Sequence, residues 1–495
     1  MRIAFVQDVN TFSVPIGTAI IAGVLRDKGH EVDLFVDENK IEKTIHDIKK
    51  YNPEIIGMSV TSGSHVKYIE ISKEIKKQTN IPILWGGPHV TFFPKMIEEN
   101  YIDAVCVGEG DEAILDFAEN FDKLGKKLPT DVKNFWIKVD GKIHRNGVRP
   151  RIKKLDEIAY PARDLFTNKF PILRNHGIKH FNAHRGCPHK CTYCFNHKYN
   201  QIYKEQAGDK KVLFSRSPES IIEEILWLKK TEIVKMVNFV DDVFTIDKKW
   251  TLRFAKIYEK DCGIPFTINA RFDHFDEEIV AALAKANLSL VYAGVESGNE
   301  YMRNVIMERE QSLEAIYKTS ELFKKYGIRV LTENVLGGPG ETFDMAMETL
   351  MVNTKIKPVV ANASIFAPYP GMKMTKIAID KGYFDGDFDK LDSTYYASSI
   401  LKFDNPEDEN KIYNLRCFFS LLTQHPWLIP IIKPLFGINN KKLFWFIGTF
   451  LDGYYIKKGI VYKQTFKEFL GNVIHYFKNY RSSRKLSKES YGVSN

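Results

Sequence analysis

The sequence predicts an α/β protein in two parts with a mainly helical end: a doubly wound parallel sheet, then a longer run of β/α units, then helices. Three observations carry this. Short apolar runs alternate with amphipathic stretches through the first 120 residues, the alternation resumes near residue 176 and repeats six times, and it is absent from the last 120 residues. At 495 residues the chain is too long for one ordinary domain. The segments read as 1–125 for the first sheet, 126–175 for a hairpin and connector, 176–375 for the second run and 376–495 for the end region.

In the first run the strands are expected at 3–6, 31–35, 55–59, 81–85 and 104–107, with helices over stretches such as 17–28 and 65–78. The N-terminus therefore reads as a strand and not as a signal peptide. Ligands of such sheets bind beyond the carboxyl ends of the strands. Those ends carry Gln7-Asp8-Val9-Asn10 and Ser13 to Gly17, Ser59-Val60-Thr61-Ser62-Gly63, Gly86-Gly87-Pro88-His89, and Gly108-Glu109-Gly110-Asp111-Glu112. Glycines there let the backbone approach a large flat ligand. No G-x-G-x-x-G follows the first strand, which argues against a dinucleotide loop.

Phe135-Trp136-Ile137-Lys138-Val139 and Lys142-Ile143-His144-Arg145 flank Asp140-Gly141, a hairpin signal. Residues 156–166, with Tyr160-Pro161-Ala162-Arg163-Asp164, read as an extended connector.

In the second run strands are expected at 180–183, 236–240, 266–270, 288–293, 329–335 and 361–366. Active residues of β/α barrels sit at the carboxyl ends of strands. After the first comes Arg185-Gly186-Cys187-Pro188-His189-Lys190-Cys191-Thr192-Tyr193-Cys194-Phe195, with spacing Cys-x3-Cys-x2-Cys. Three thiolates can hold three irons of a [4Fe–4S] cluster, leaving the fourth iron open to a substrate or second cofactor. The alternative on spacing is a zinc site completed by His189 or His197. After the second strand come two adjacent acids, Asp241 and Asp242. After the third comes Arg271, a fork of donors suited to a carboxylate or ribose. The fourth is followed by Gly294, Glu296, Ser297 and Gly298, and the fifth by Gly337-Gly338-Pro339-Gly340-Glu341-Thr342.

The cysteine spacing, with an aromatic residue just before the last cysteine, resembles the radical SAM superfamily, and the six β/α units resemble its partial (β/α)6 barrel. The resemblance implies that Cys187, Cys191 and Cys194 are the metal ligands and the catalytic centre, and that the open iron chelates the amino and carboxylate groups of S-adenosylmethionine. An electron from the cluster then yields a 5′-deoxyadenosyl radical. It further implies that Tyr193 lies near the adenine, that Asp241 or Asp242 receives the amino group, that Arg271 is a further cofactor contact, and that Glu296 and Ser297 meet ribose and methionine. Gly338 and Gly340 would let the cofactor approach backbone. Gly86-Gly87-Pro88-His89 with Gly108-Glu109-Gly110 resemble the cobalamin-binding domain found ahead of many radical SAM barrels, which implies cofactor contacts from Ser59, Thr61, Ser62, Gly86, Gly87, Pro88, His89, Gly108 and Glu109. The Asp-x-His-x-x-Gly motif of some cobalamin proteins is absent, which implies cobalt without a histidine lower ligand and suits methyl transfer. The resemblance covers residues 1–375.

The last 120 residues carry aromatic and apolar patches, Trp427-Leu428-Ile429-Pro430-Ile431-Ile432, Leu435-Phe436 and Leu443-Phe444-Trp445-Phe446-Ile447, interrupted by Lys433, Lys441 and Lys442. They read as a helical cap over the barrel mouth or as a membrane-surface segment, the second implying a lipid-like substrate. Net charge is +9, with basic runs at Lys457-Lys458 and Arg481-Ser482-Ser483-Arg484-Lys485. Three further cysteines, Cys106, Cys262 and Cys417, are scattered, so no disulfide framework is expected and a reducing cytoplasm is.

The leading expectation is a cobalamin-dependent radical SAM methyltransferase acting on an unactivated carbon of a small or lipid-like molecule, served by an electron donor such as flavodoxin or ferredoxin and using no nucleic acid. A second reading uses the same cofactors for ring formation, rearrangement or carbon–carbon bond formation. A methylthiotransferase acting on RNA would need extra cysteines in the first domain, which holds only Cys106. A non-catalytic cobalamin or SAM sensor is the remaining alternative, and the intact cysteine triplet argues against it.

Overall fold

The computed structural model describes residues 1–7, 13–37, 40–391 and 399–459. Of the segments named above, Asp8-Val9-Asn10 and Arg481-Ser482-Ser483-Arg484-Lys485 lie outside the described residues. The chain forms two compact units: Met1–Gly177 with Lys198–Phe214, and Ile178–His197 with the described residues from Ser215 onward.

The first unit alternates β1 (Arg2–Gln7), α1 (Ile16–Asp27), β2 (Glu31–Val36), α2 (Ile41–Tyr51), β3 (Ile55–Ser59), α3 (His65–Gln78), β4 (Ile83–Gly86), α4 (Pro88–Phe92), β5 (Ala104–Cys106) and α5 (Asp111–Lys123). The hairpin β6 (Phe135–Val139) and β7 (Lys142–Arg145) follows, then the short helices α6 (Asp164–Thr167) and α7 (Pro171–Asn175). Strand order is β2-β1-β3-β4-β5-β6-β7, with β1 to β5 parallel. The parallel part reverses direction of travel between β1 and β3, where doubly wound sheets open a ligand crevice. Sheet and helices meet in apolar layers around residues such as Ile56, Trp85 and Phe117.

The hairpin is part of this sheet and not of a separate connector, since β6 pairs antiparallel with β5. Asp140 (φ 48°) and Gly141 (φ 75°) both adopt the left-handed conformation that a tight two-residue turn requires. Adding two strands covers the edge that the three-residue β5 would otherwise present. The connector packs across α1. Ala162 donates its N–H to Ala19 O at 2.8 Å. A Cβ at Gly23 would stand 2.2 Å from Tyr160 O, so this crossing needs glycine.

The second unit is built on six parallel strands in the order β15-β14-β13-β12-β11-β8, an open ring. In chain order the elements are β8 (Ile178–Phe181), β9 (His184–Arg185), α8 (Phe195–Ala207), which belongs to the first unit from Lys198 on, β10 (Phe214–Ser215), α9 (Pro218–Leu228), β11 (Met236–Phe239), α10 (Lys248–Asp261), β12 (Phe266–Ala270), α11 (Glu277–Lys285), β13 (Leu288–Glu296), α12 (Leu313–Lys325), β14 (Arg329–Leu336), α13 (Phe343–Ile356) and β15 (Val360–Ile365). Apolar residues of β8, β11, β12 and β13 form one core with helices α9 to α12. Then come α14 (Lys373–Asp380), α15 (Pro406–Gln424), α16 (Ile429–Ile432) and α17 (Lys441–Gly459). Among these, α15 lies on α13 and β15, and its buried Ile412, Phe418 and Phe419 share a core with Leu350 and Ile365.

Candidate functional site

The cysteine loop follows β8 at the carboxyl end of the open ring. Its centre is pinned by Thr192, whose N–H donates to Met307 O at 3.0 Å and whose hydroxyl donates to Ile306 O at 2.6 Å, while Met374 N–H donates to Thr192 O at 3.0 Å. Cys187 and Cys191 are buried and Cys194 is half-buried. Asn196, itself buried, donates to Cys194 Sγ at 3.6 Å. Burial pushes the Cys187 thiol up to about 11, with nearby Asp242 and Cys191 adding to the shift and a backbone N–H from His189 opposing it. Burial likewise pushes Cys194 up to about 12. Such thiols surrender their protons to a bound cation, whose charge supplies what the burial withholds.

Among the described residues no three His, Cys, Asp or Glu side chains converge to hold a single ion. A mononuclear zinc centre needs that convergence. A cubane cluster takes one thiolate at each of several corners, which three cysteines on one loop can supply. His189, one of the two candidates for a fourth zinc ligand beside His197, places its Nε2 2.9 Å from His274 Nε2. Its pKa is lowered to about 4, chiefly by burial and then by the charge of Arg271.

The two adjacent acids after β11 have different tasks. Asp241 is 1% exposed, and its Oδ1 accepts the N–H groups of Ala183 (2.8 Å) and His184, fastening the start of the cysteine loop. Its Oδ2 is buried without a hydrogen-bond partner, and desolvation pushes its pKa up to about 7. Asp242 is exposed as a residue, yet desolvation of its carboxyl raises its pKa, and a hydrogen bond from Asn196 opposes the rise. It is this carboxylate whose charge reaches Cys187 and Cys194. Successive residues at a strand end face opposite ways, which separates the pair.

Arg271 is buried, and its guanidinium grips Asp273 through Nε (2.9 Å) and Nη2 (2.7 Å) and Arg309 O through Nη2 (2.7 Å). Its Nη1 lies 3.8 Å from Cys191 Sγ. Its fork is therefore held by protein, with one donor left for the cysteine loop.

A second arginine, Arg309, completes the site. It donates to Tyr193 Oη at 2.6 Å and to Gly294 O at 3.0 Å, and sits 3.2 Å from Glu296 Oε1. Burial works against its charge, and Tyr193, Glu296 and Cys191 together outweigh that and raise its pKa. Burial raises the Tyr193 pKa well above the usual phenol value. Glu296 has φ +64°, beside a break in the β13–β14 register between Gly294 and Glu296. That irregularity turns its carboxylate back towards Arg309. A Cβ at Gly294 would stand 2.1 Å from Glu296 Oε1, so the arrangement requires glycine there.

Ser297 is fully buried with its hydroxyl 3.5 Å from that of Thr349, and Gly298 N–H donates to Thr349 Oγ1 at 2.9 Å. In the next turn Gly338 N–H donates to Glu341 Oε2 at 3.0 Å, and Gly340 takes φ +78°. Glu341 is 2% exposed, with its pKa pushed up to about 7 by desolvation and its Oε1 without a partner. On β14, Glu333 is likewise pushed to about 7 by burial and accepts from Asn362 at 2.6 Å. Arg309, Thr192, Asn196 and Glu333 belong to this site and were not singled out by sequence. Glu333 had a signal, an acid within an apolar strand pattern.

In the first unit the loops after β3, β4 and β5 come together. Ser59 is exposed at the end of β3. Thr61 Oγ1 lies 2.8 Å from Ser64 Oγ, and Ser62 Oγ lies 3.0 Å from His89 Nδ1. The His89 ring stacks on His65 at 4.3 Å. Burial, then His65, lowers the His89 pKa to about 3. Gly86 ends β4 and Pro88 opens α4. Gly87 has φ +91°, and a Cβ there would stand 2.8 Å from Val60 O, so glycine alone lets the two loops touch. Gly108 N–H donates to Thr91 Oγ1 at 3.1 Å. Glu109 is turned away towards the chain: its N–H donates to Tyr203 Oη at 2.7 Å and its Oε2 accepts from Ile152 N–H at 3.2 Å. The buried His89 Nε2 has no partner, an orphan donor or acceptor beside the loops after β3 and β4 that fits a polar cofactor.

Two family models match. One, described as the radical SAM superfamily, covers residues 181–351, and one described as the B12 binding domain covers residues 3–118. An uncharacterized methyltransferase of Pyrococcus horikoshii is 31% identical over 385 residues, which is 75% of this chain and 80% of that protein. An anaerobic magnesium-protoporphyrin IX monomethyl ester cyclase of Rubrivivax gelatinosus is 26% identical, over 72% of this chain and 64% of its own length. The radical SAM methyltransferase TsrM of Kitasatospora setae, solved with tryptophan and a SAM analogue, superposes with TM-score 0.61 at 17% identity over 77% of each chain. The radical enzyme OxsB, solved with aqua-cobalamin and S-adenosylmethionine, superposes with TM-score 0.63 at 15% identity, covering 100% of this chain and 76% of that one.

Proposed function

The chain belongs to the radical SAM superfamily and carries a B12 binding domain ahead of its barrel, and from that premise we propose a cobalamin-dependent methyltransferase that acts on an unactivated carbon of a small, apolar or lipid-like molecule. Its cofactors are a [4Fe–4S] cluster, S-adenosylmethionine and cobalamin. Bound, the cluster and SAM supply a 5′-deoxyadenosyl radical for hydrogen abstraction, and cobalamin supplies the methyl group. The observation that carries the reading is the loop of three cysteines at the end of β8, with Asp242 electrostatically linked to Cys187 and Cys194.

The chain's own residues then divide the work. Cys187, Cys191 and Cys194 hold three irons. Asp242 receives the cationic amino group of SAM, and Asp241 holds the loop in register from beneath. Arg309 orients Tyr193 against the adenine and keeps Glu296 aligned for the ribose. Gly338 and Gly340 shape the turn on which the nucleoside rests, and Ser297 stabilises that end of the ring through Thr349. Glu333, whose pKa burial raises to about 7, is held on β14 by the hydrogen bond from Asn362. In the first unit Ser59, Thr61, Ser62, Gly86, Gly87, Pro88, His89 and Gly108 frame the cobalamin crevice, whereas Glu109, bonded to Tyr203 and Ile152, is not among its contacts. A small carrier, flavodoxin or ferredoxin, delivers the electron. The lipid-like substrate class rests on the apolar side chains of the C-terminal helices.

The three cyclases among the relatives support a second reading, ring formation with the same cofactors. Anaerobic reconstitution followed by turnover with methyl-deuterated SAM separates the two. Label in the product supports methyl transfer, whereas 5′-deoxyadenosine with an unlabelled, cyclised product overturns it.

A further inference from the structure

Of the nineteen large apolar side chains that are exposed among the described residues, nine fall between Trp427 and Ile456. A cluster that dense is far from the scattered exposure of an ordinary surface. On α17 the side chains Leu443, Phe446, Phe450 and Tyr454 recur at helical spacing and form an exposed stripe, with Phe446 66% and Phe450 69% exposed. The opposite face is already seated: Phe444 packs on Phe418 at 5.9 Å, and a Cβ at Gly448 would stand 3.0 Å from Cys417 Sγ. The helix is thus apolar on two faces, and only one of them has protein against it among the described residues. Before it, Trp427 (67%) and Ile431 (61%) are similarly exposed.

The charge around this surface is one-sided. Residues 426–459 contain five lysines, of which Lys441 pairs with Glu409 at 2.7 Å, and one acid, Asp452, which is taken by Arg416. From 426 to the last residue there are twelve basic and three acidic residues, which accounts for the whole net charge of +9. The first 425 residues are therefore balanced.

We propose that this face, α17 with the segment around Trp427 and Ile431, is seated on an anionic lipid bilayer, with aromatic side chains at the acyl boundary and lysines at the headgroups. No helix among the described residues is long and apolar enough to cross a membrane, so the contact lies on the surface. A second copy of the chain fits less well, because a two-fold contact would set the basic segment against itself. The proposal rests on the lipid-like substrate class above for its purpose and on exposure and charge for its argument. It is read without turnover, so its failure leaves methyl transfer standing.

The test is co-sedimentation of the full-length protein with phosphatidylcholine vesicles, with and without phosphatidylglycerol, at low and high salt. Binding is expected only with the anionic lipid and is weakened by salt. Phe446→Ser with Phe450→Ser is expected to lower partitioning about tenfold or more. Lys442→Gln and Lys458→Gln each lower it roughly fivefold. Because these positions are on the surface, the melting temperature and SAM cleavage of every variant stay at the parent value. Three results overturn the proposal: no binding to anionic vesicles at low salt, binding indifferent to the phenylalanine changes, or a dimer or protein complex dispersed by those changes while vesicles stay unbound.

Discussion

Arg309 donates to the hydroxyl of Tyr193 across 2.6 Å, tying the aromatic residue of the cysteine loop to a cation 116 positions further along the chain. The same guanidinium lies 3.2 Å from Glu296, so one buried side chain orients two residues assigned to the nucleoside. Arg309→Gln leaves Glu296 buried without its cation and is expected to cost about 3 kcal/mol of stability, seen as a lower melting midpoint. Arg309→Lys restores charge but not the fork, so it recovers stability in part while SAM affinity stays weak. A glutamine variant as stable as the parent would show that the pair carries no weight.

Asp241 and Asp242 should separate experimentally. Asp242→Asn is expected to weaken SAM binding at least tenfold in calorimetry with the melting midpoint unchanged. Asp241→Asn acts on the fold instead: its carbonyl keeps both N–H donors, but its NH2 is buried without an acceptor where Oδ2 stood, and it lowers the midpoint with SAM affinity following only indirectly. The reverse pattern would exchange their roles.

Replacing Cys187, Cys191 or Cys194 singly by alanine is expected to abolish the bound cluster, read as iron content and visible absorption after anaerobic reconstitution. Loss of 5′-deoxyadenosine formation accompanies it. Replacing Cys106, Cys262 or Cys417 leaves the iron content intact.

Glu341 and Glu333 have folded pKa values raised to about 7, above the ordinary glutamate value of 4.5. A raised acid binds its proton more tightly when folded, so its stabilising effect is complete below pH 4.5 and is lost as pH climbs through 7. The apoprotein's stability curve should therefore carry a component that falls between those limits and is flat above them. Glu341→Gln removes its share of that slope. A slope unchanged in Glu341→Gln would mean that the carboxyl titrates normally.

Gly87→Ala forces φ +91° on a residue with a side chain and drives its Cβ to 2.8 Å from Val60 O. Destabilisation of about 1–3 kcal/mol is expected, together with loss of cobalamin uptake measured by its visible spectrum. Gly86→Ala, whose Cβ would meet nothing closer than 3.9 Å, is tolerated by the fold and reports on ligand clearance alone.

Much of this was legible in the chain. Alternation placed both parallel sheets, and the rule that chemistry sits at strand carboxyl ends led to Cys187, Asp241, Asp242, Arg271, Glu296 and Gly338. What was not legible depends on three-dimensional register. Asp241 and Asp242 are equivalent as letters and differ only in which way the strand end turns them. Arg309 follows a π-helical turn, Tyr301–Ile306, which no hydrophobic period announces. Arg271 looked free for a ligand because Asp273, two residues on, is an ordinary turn acid until its bidentate grip is seen. The Asp140-Gly141 hairpin was visible as a hairpin, but its pairing with β5 is a long-range choice that local sequence does not encode.

Thr192 sits between the second and third cysteines and is tied to two other parts of the second unit by three hydrogen bonds. None of these three bonds involves iron, so the loop is restrained by its own scaffold as well as by a cluster. Free energy released on cluster assembly is then not spent on organising its own ligands, in contrast to small metal domains that fold only when loaded. Loading and stripping become local exchanges within a standing scaffold, and a centre lost to oxygen leaves behind a receptacle ready to be refilled.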